Sequence, residues 1–206
     1  MYKRDFKFDN PFARNSRALQ EVLQQRSLSA RSKVEGKIRG ALDGQSDEET
    51  VITSVVEACS IKIPQFDFTP EHIKKEEWYD QIPGQLQSIF PNQKMQVWGV
   101  TFGFPYTGDV DYLRYIPRAG SGTSFPVFTH DGECFWFKTW TPDGPNRDIE
   151  KIKSEKLGAI AFLQKRVADA TPELEEYNHQ LPLAVRAYFE SLKQKYQKDR
   201  DILAQL

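Results

Sequence analysis

The chain has 206 residues, of which 39% are hydrophobic and 13% aromatic, and its formal net charge is -1. This composition supports a packed core and excludes wholesale disorder, and the near-zero net charge does not indicate that the molecule as a whole binds polyanions. Two cysteines, no apolar N-terminal run and no stretch of about 18 apolar residues exclude a disulfide scaffold, a signal peptide and a membrane span. We therefore expect a cytoplasmic protein with no membrane partner.

The N-terminal part of the chain predicts three helices. Asn10 followed by Pro11 favours a helix start, and apolar residues mark one face of that helix to about residue 26. A more polar helix is expected near residues 29–42. Ser46 and Glu49 form a capping-box pattern, which predicts a third helix through residue 59.

The middle of the chain predicts an antiparallel sheet. Pro64 restricts the alternating segment 59–68 to a sheet edge or a bulge. Thr69-Pro70 predicts a short helix that runs through Trp78. The remaining strands are expected at 95–104, at 111–117 and on either side of the turn residues Asp131-Gly132.

From Arg147 onward the chain is predicted to be helical, because apolar residues recur every three to five positions. Thr171-Pro172 and Pro182 interrupt this pattern, so we expect a C-terminal helical hairpin. The predicted fold class is α+β, with an antiparallel β-meander of about four strands packed against helices. One domain is expected at 1–146, a helix-clad sheet with basic N-terminal helices, followed at 147–206 by long helices that pack on the sheet or mediate assembly.

The stretch "FTHDGECFWF" (128–137) combines His, Asp, Glu and Cys side chains, which bind zinc or transfer protons in many proteins. If Asp131-Gly132 form a type I′ turn, His130 pairs with Glu133, and Cys134 points to the opposite face of the strand. A Cys–His pair is then out of reach, and too few ligands converge for zinc. We favour an exposed cross-strand pair of His130 and Glu133, and we predict no metal and no cofactor.

A metal-dependent hydrolase or nuclease is the alternative that the ionisable residues leave open. Asp109 and Asp111 lie two apart, and two carboxylates on one face of a strand can bind magnesium or act as acid and base. With His130 and Glu133 they would form the catalytic group if all four converged in one pocket. A turn-shaping role is the favoured interpretation of Asp109. No phosphate-loop, dinucleotide-binding or nucleophile-elbow motif supports an enzyme.

Charge is distributed unevenly along the chain. Residues 1–42 carry a net charge of +6 and residues 43–146 a net charge of -8. The basic segment can match the acidic one within the molecule, meet an acidic partner, or contact the phosphates of a nucleic acid. Nucleic-acid binding is an alternative that we do not favour, because aromatic residues are not interleaved for base stacking. It would use six side chains: Arg14, Arg17, Arg31, Lys33, Lys37 and Arg39.

The segments "FPYTGDVDYLRYIP" and "NHQLPLAVRAYFESLKQKYQKDRDIL", with the hairpin and helix between them, resemble the N-terminal regions of uncharacterised bacterial proteins. Some of those proteins accompany defence-type effector domains. The resemblance covers residues 60–206 and transfers no functional residue. It implies that this part senses, scaffolds or oligomerises, and that relatives continue into an effector beyond the position of Leu206.

The favoured function is a non-enzymatic interaction, scaffold or sensor module of a cytoplasmic bacterial protein. We expect a protein partner or a second copy of the chain, with the last helices mediating assembly. The contact stripe on these helices is formed by Tyr188, Phe189, Leu192, Tyr196 and Leu203.

Overall fold

A computed structural model describes residues 17–69, 72–81, 94–118, 126, 128–143 and 147–204. The chain divides into two compact units. The described part of the first, here called the sheet unit, comes from 64–114 and 121–168. The described part of the second, the helical unit, comes from 16–63, 115–120 and 169–206. Each unit is therefore assembled from segments that are distant in the sequence.

Helix α1 spans Leu19–Leu42 in the helical unit. The prediction of two separate helices here is wrong, because no residue between them breaks the backbone and one apolar face continues through both. The predicted helix start at Asn10-Pro11 lies outside the described residues. The buried face of α1 consists of Leu19, Leu23, Ala30, Val34, Ile38 and Ala41.

Helix α2 spans Glu48–Cys59 and confirms the third predicted helix. Its N-cap is Asp47, one residue after the predicted Ser46. The Asp47 carboxylate accepts a hydrogen bond from the backbone N–H of Thr50 at 3.0 Å, which satisfies one of the free donors at the helix start. The buried residues of this helix are Val51, Ile52, Val55 and Cys59.

Helix α3 spans Ile149–Leu203, so the predicted C-terminal helical hairpin is not confirmed. Pro172 and Pro182 lie inside the helix with exposed side chains. The apolar face keeps its helical spacing through both prolines, which favours continuing the helix over turning back. In the helical unit this face comprises Ala170, Leu174, Tyr177, Leu181, Val185 and Phe189.

Within the helical unit, α2 runs antiparallel to α1. Arg26 of α1 donates from Nε to the carbonyl of Cys59 at 3.0 Å, and Lys37 donates to the hydroxyl of Ser54 at 2.9 Å. The carbonyl of Cys59 also accepts the hydroxyl of Tyr177 from α3 at 3.1 Å. These side-chain bonds link the three helices around their shared apolar core.

The sheet unit contains an antiparallel sheet in which β3 is central. It pairs with β1, β2 and β5, and β5 also pairs with β4. This arrangement confirms the α+β fold class. Among the described residues, every helix is too short or too polar to cross a bilayer. The strands are β1 Gln65–Phe66, β2 His72–Gln81, β3 Lys94–Thr107, β4 Phe128–His130 and β5 Cys134–Pro142.

Two predicted elements of the sheet unit are wrong. The helix predicted from Thr69-Pro70 through Trp78 is strand β2, which pairs with β3 along its whole length. The strand predicted at 111–117 is a 3₁₀ helix at Val110–Arg114. Because β2 and β5 already occupy the two edges of β3, no edge of that strand is left for another long partner. Tertiary pairing therefore overrides local propensity in both segments.

One face of the sheet packs on the first part of α3. Phe128 of β4 stacks on Phe162 with ring centroids 5.9 Å apart. The buried Arg166 donates from Nε to the carbonyl of Leu113 at 2.7 Å, which ties the 3₁₀ helix to α3. The core of this unit therefore lies between the sheet and α3.

Candidate functional site

The β4–β5 hairpin has a different register from the predicted one. His130 is paired with Phe135, and their ring centroids are 5.5 Å apart, so the predicted cross-strand pair of His130 and Glu133 is wrong. The turn is wider because oxygen Oδ1 of Asp131 accepts the backbone N–H groups of Glu133 and Cys134, each at 3.0 Å. Since the register shifts by two residues, Cys134 still points away from the face that carries His130.

Asp131 organises this turn with both carboxylate oxygens. Its Oδ2 accepts the indole N–H of Trp136 at 2.8 Å. Burial alone would raise the pKa of Asp131, but the N–H of Cys134, the indole of Trp136 and the N–H of Glu133 together hold it below its ordinary value. The carboxylate is therefore charged at neutral pH and serves as a structural acceptor.

Asp109 and Asp111 follow the end of β3 and do not lie on a strand. Asp111 is exposed in the 3₁₀ helix and pairs with Arg114 at 3.6 Å between Oδ1 and a guanidinium nitrogen. Within the described ranges, no group of three or more His, Cys, Asp or Glu side chains is arranged to hold a metal ion. The hydrolase hypothesis that combines these residues with His130 and Glu133 stays a prediction.

The basic side chains of the nucleic-acid hypothesis make contacts within the helical unit. Arg14 lies outside the described residues. The hydrogen bond with Tyr196 raises the pKa of Arg39 above its ordinary value. Phosphate contact by these side chains stays a prediction. Their other partners are Glu21 for Arg17 (3.8 Å), the Tyr188 ring for Arg31 (5.4 Å), the Ala58 carbonyl for Lys33 (3.5 Å) and the Ser54 hydroxyl for Lys37 (2.9 Å).

The predicted contact stripe on α3 is divided between core and surface. Phe189 is 0% exposed and belongs to the core of the helical unit. Tyr188 and Tyr196 hydrogen-bond to side chains of α1. Leu192 is half-buried, and Leu203 is exposed. Assembly through this stripe stays a prediction, and the Phe189 ring is not displayed for it.

Aromatic rings from β1, β3 and β5 meet at one end of the sheet. Phe66 meets Phe135 edge-on with centroids 5.2 Å apart and stacks on Phe68 at 5.9 Å. Tyr106 meets Phe135 edge-on at 5.3 Å, and Phe104 lies 5.7 Å from Phe68. Phe104 and Phe135 are buried, whereas the other three rings are half-buried. These five residues, here called the sheet-end cluster, therefore have one side in the core and one side towards the surface.

An open cavity of about 390 Å³ lies beside the sheet-end cluster. Strand pairing builds it, because Phe66 is the register partner of Tyr106. The N–H of Asp67 donates to the carbonyl of Pro105 at 2.9 Å, which fixes the position of β1 at the end of β3. The cavity is lined by Gln65, Phe66, Asp67, Pro105, Tyr106 and Thr107.

The phenol of Tyr106 lies in a negative electrostatic potential. Burial raises the pKa of Tyr106 above its ordinary value, and the charges of Asp111 and Asp131 raise it further, with a smaller effect from Cys134. The hydroxyl is therefore protonated at neutral pH. The cavity consequently combines an aromatic wall with nearby carboxylates.

No sequence signal marked Phe66, Asp67 and Phe68 as functional. The stretch "QFDF" alternates aromatic and polar residues, which is the ordinary pattern of a half-buried edge strand. The cavity exists only because this stretch pairs with the far end of β3, and a single sequence does not reveal that pairing.

Comparison with known proteins gives limited similarity. No family model matches the chain, and no solved structure matches it. One of the DNA gyrase subunits of Chlamydia trachomatis is 27% identical to the chain over 133 residues. The match covers 63% of this chain but only 13% of the gyrase protein. The chain therefore spans a small part of that relative's length, and this similarity does not assign a family.

Proposed function

We propose that the chain is a non-enzymatic module that binds a protein partner through the end of the sheet unit. The supporting observation is the open cavity beside the sheet-end cluster, where Phe66 and Tyr106 form a half-buried wall. Aromatic side chains that neighbours hold in place, and that remain partly accessible, are frequent anchors of protein interfaces. The resemblance to bacterial multidomain proteins supports a sensor or scaffold role in the bacterial cytoplasm, within a defence system.

The use of the nearby ionisable groups agrees with a binding role. The Asp131 carboxylate accepts three N–H groups, from Glu133, Cys134 and Trp136. The His130 ring stacks on Phe135 with an interplanar angle of 18°. Groups engaged in turn formation and ring stacking hold the surface in shape, which favours recognition over proton transfer.

A peptide-display selection on the whole chain tests the proposal. Random linear peptides would be selected on the wild type and then measured on Phe66→Ala and on Tyr188→Ala, which removes a half-buried ring from the helical unit. We expect peptides that bind Phe66→Ala about tenfold more weakly, a loss of about 1.4 kcal/mol, and bind Tyr188→Ala like the wild type. Recovery of no peptide, or equal loss on both variants, would contradict a binding surface at the end of the sheet.

DNA binding is a second candidate, because the relative that the comparison identifies belongs to a DNA gyrase. Lys33 and Lys37 of α1 would supply phosphate contacts, since both side chains are exposed at the surface of the helical unit. Anisotropy with a labelled duplex should then show binding that weakens steeply between about 50 and 200 mM salt. The double variant Lys33→Ala/Lys37→Ala should reduce that salt dependence. Absence of binding at the lower salt concentration would exclude this candidate.

A further inference from the structure

We propose that the cavity beside the sheet-end cluster binds the guanidinium group of an arginine side chain from a partner's peptide segment. This inference rests on the proposed function and adds the chemistry of the group that is recognised. Two features of the cavity lead to it, namely the aromatic wall and the surrounding carboxylates.

The aromatic wall offers a surface on which a flat cation can stack. Phe66 and Tyr106 line the cavity with centroids 6.0 Å apart and ring planes at 57°. Phe68 stacks against Phe66, and Phe135 meets both lining rings edge-on, so neighbouring rings hold the wall in place. A guanidinium is attracted to such a ring face within about 6 Å of its centroid. The volume of about 390 Å³ suffices for the end of an arginine side chain.

The carboxylates around the wall favour a positive ligand. Asp67 lines the cavity, and its Oδ1 accepts the N–H of Thr69 at 2.9 Å, which orients the carboxylate. Asp111 is largely exposed and pairs with Arg114 at a long 3.6 Å, so this contact can be exchanged for a ligand. Asp131 adds negative charge, although N–H groups already occupy its oxygens. We therefore expect Asp67 to be the direct acceptor and the other two carboxylates to strengthen the field.

A guanidinium suits this combination better than an ammonium group does. It is planar, weakly hydrated and able to stack on a ring while its edge donates hydrogen bonds to a carboxylate. The lysine ammonium is a compact and strongly hydrated charge that loses more on leaving water. An anionic ligand would meet the same negative potential that raises the pKa of Tyr106.

Ligand-observed NMR on the intact chain tests the assignment with three blocked amino acids. Nα-acetyl-arginine N-methylamide is compared with its citrulline analogue, which has nearly the same shape without the charge, and with its lysine analogue. We expect the arginine compound to bind at least about tenfold more tightly than the citrulline compound at low ionic strength. Raising the salt concentration to about 0.2 M should narrow that difference, because exposed charges are screened.

Variants of two exposed carboxylates separate the cavity from general charge attraction. Asp67→Asn removes the expected acceptor, whereas Asp43→Asn removes an exposed carboxylate of the helical unit with the same change in net charge. We expect Asp67→Asn to weaken arginine binding by about five- to tenfold, as for loss of a charge-assisted hydrogen bond. Asp43→Asn should leave it unchanged. A third variant, Phe66→Leu, keeps an apolar wall and should also weaken binding, because it removes the ring face.

The outcomes distinguish this inference from the proposed function. Equal binding of arginine and citrulline, or equal effects of Asp67→Asn and Asp43→Asn, would overturn it. Binding of lysine as tight as that of arginine would overturn the choice of guanidinium. Display peptides that depend on Phe66 but contain no arginine would leave the proposed function standing and remove this inference. Recovery of no display peptide would remove the proposed function itself.

Discussion

Each unit contains a surface cavity, and the two cavities differ in how their polar groups are used. In the helical unit, a cavity of about 230 Å³ is lined by side chains that bond one another. Arg118 donates its N–H to Glu173 at 2.6 Å and its Nε to Gln20 at 3.2 Å, and Gln180 donates to Glu176 at 3.0 Å. The cavity of the sheet unit is lined by ring faces and a carboxylate. Donors and acceptors that satisfy each other offer little to a ligand, whereas rings and a carboxylate can still gain a cation.

The same contrast holds for the apolar side chains of the two units. The Phe189 ring is enclosed in the helical unit. Phe66 and Tyr106 are held by other rings of the sheet unit, yet they remain half-buried. Burial in a core stabilises the fold, and partial exposure of a rigid ring preserves a binding surface. The following changes either break this comparison or sharpen it.

Phe189→Ala should have the largest effect on stability. Because the ring is fully buried, its loss leaves a cavity and should lower the free energy of unfolding by about 3–5 kcal/mol. Leu183→Ala is the control on the same helix, since Leu183 is 66% exposed, and it should change that free energy by less than about 0.5 kcal/mol. Urea unfolding followed by circular dichroism measures both. Similar values for the two variants would mean that the Phe189 side chain is displayed on the surface.

Gly103→Ala should have the next largest effect, because the Trp136 ring lies directly against this glycine. A Cβ atom at Gly103 would be 2.5 Å from Cζ3 of Trp136, so the indole would have to move away from Asp131. We expect a loss of about 1–3 kcal/mol in unfolding free energy. Gly158→Ala on α3 is the control, because its Cβ would meet nothing within 4 Å. That variant should gain about 0.5–1 kcal/mol from helix propensity, and a loss as large as that of Gly103→Ala would contradict the packing.

Asp131→Asn should cost about 1 kcal/mol at neutral pH, because the amide is a weaker acceptor for the N–H groups of the turn. The folded pKa of Asp131 lies below its ordinary value, so the stabilising contribution is present above about pH 4 and is lost as pH falls through the lower folded pKa. The variant should therefore show a flatter decline of unfolding free energy in acid. Asp111→Asn, at an exposed position, is the control. Equal slopes for Asp131→Asn and the wild type would refute the role of the charged carboxylate.

Arg186→Ala should have the smallest effect. Arg186 pairs with Glu49 across the surface of the helical unit, and both side chains are more than half exposed. Water and salt screen such a pair, so the melting temperature should be unchanged within the error of the measurement. Calorimetry with and without about 0.5 M salt checks this. A clear drop that salt abolishes would show that the surface pairs, and not the apolar core, hold the helices together.

Regular hydrophobic patterns could be read from the sequence, and pairing partners could not. The capped apolar run of α2 and the alternation within β3 predicted these elements correctly. The charged stretch "HIKKEEWYDQ" fits a helix or a strand equally well, and only its ten-residue pairing with β3 decides for the strand. The prolines of α3 suggested a break, but an uninterrupted apolar face outweighed them.

The candidate site was beyond a local reading for the same reason. Asp131-Gly132 indicated the hairpin, but the carboxylate of Asp131 captures two backbone N–H groups and shifts its register. Asp67 and Tyr106 belong to separate segments, and the cavity between them depends on the pairing of β1 with β3. Residue types at short spacing therefore drew attention to His130 and Glu133 instead of the rings and carboxylates that the fold assembles.

Protein-observed NMR with the blocked arginine compound compares both cavities in one experiment and tests the central claim most directly. The expected result is a set of saturable amide shifts at Phe66, Asp67 and Tyr106, with no shift at Gln20 or Glu173 in the helical unit. Shifts that concentrate in the helical unit, or no shift in either cavity at saturating ligand, would contradict the claim that the sheet unit presents the open recognition surface.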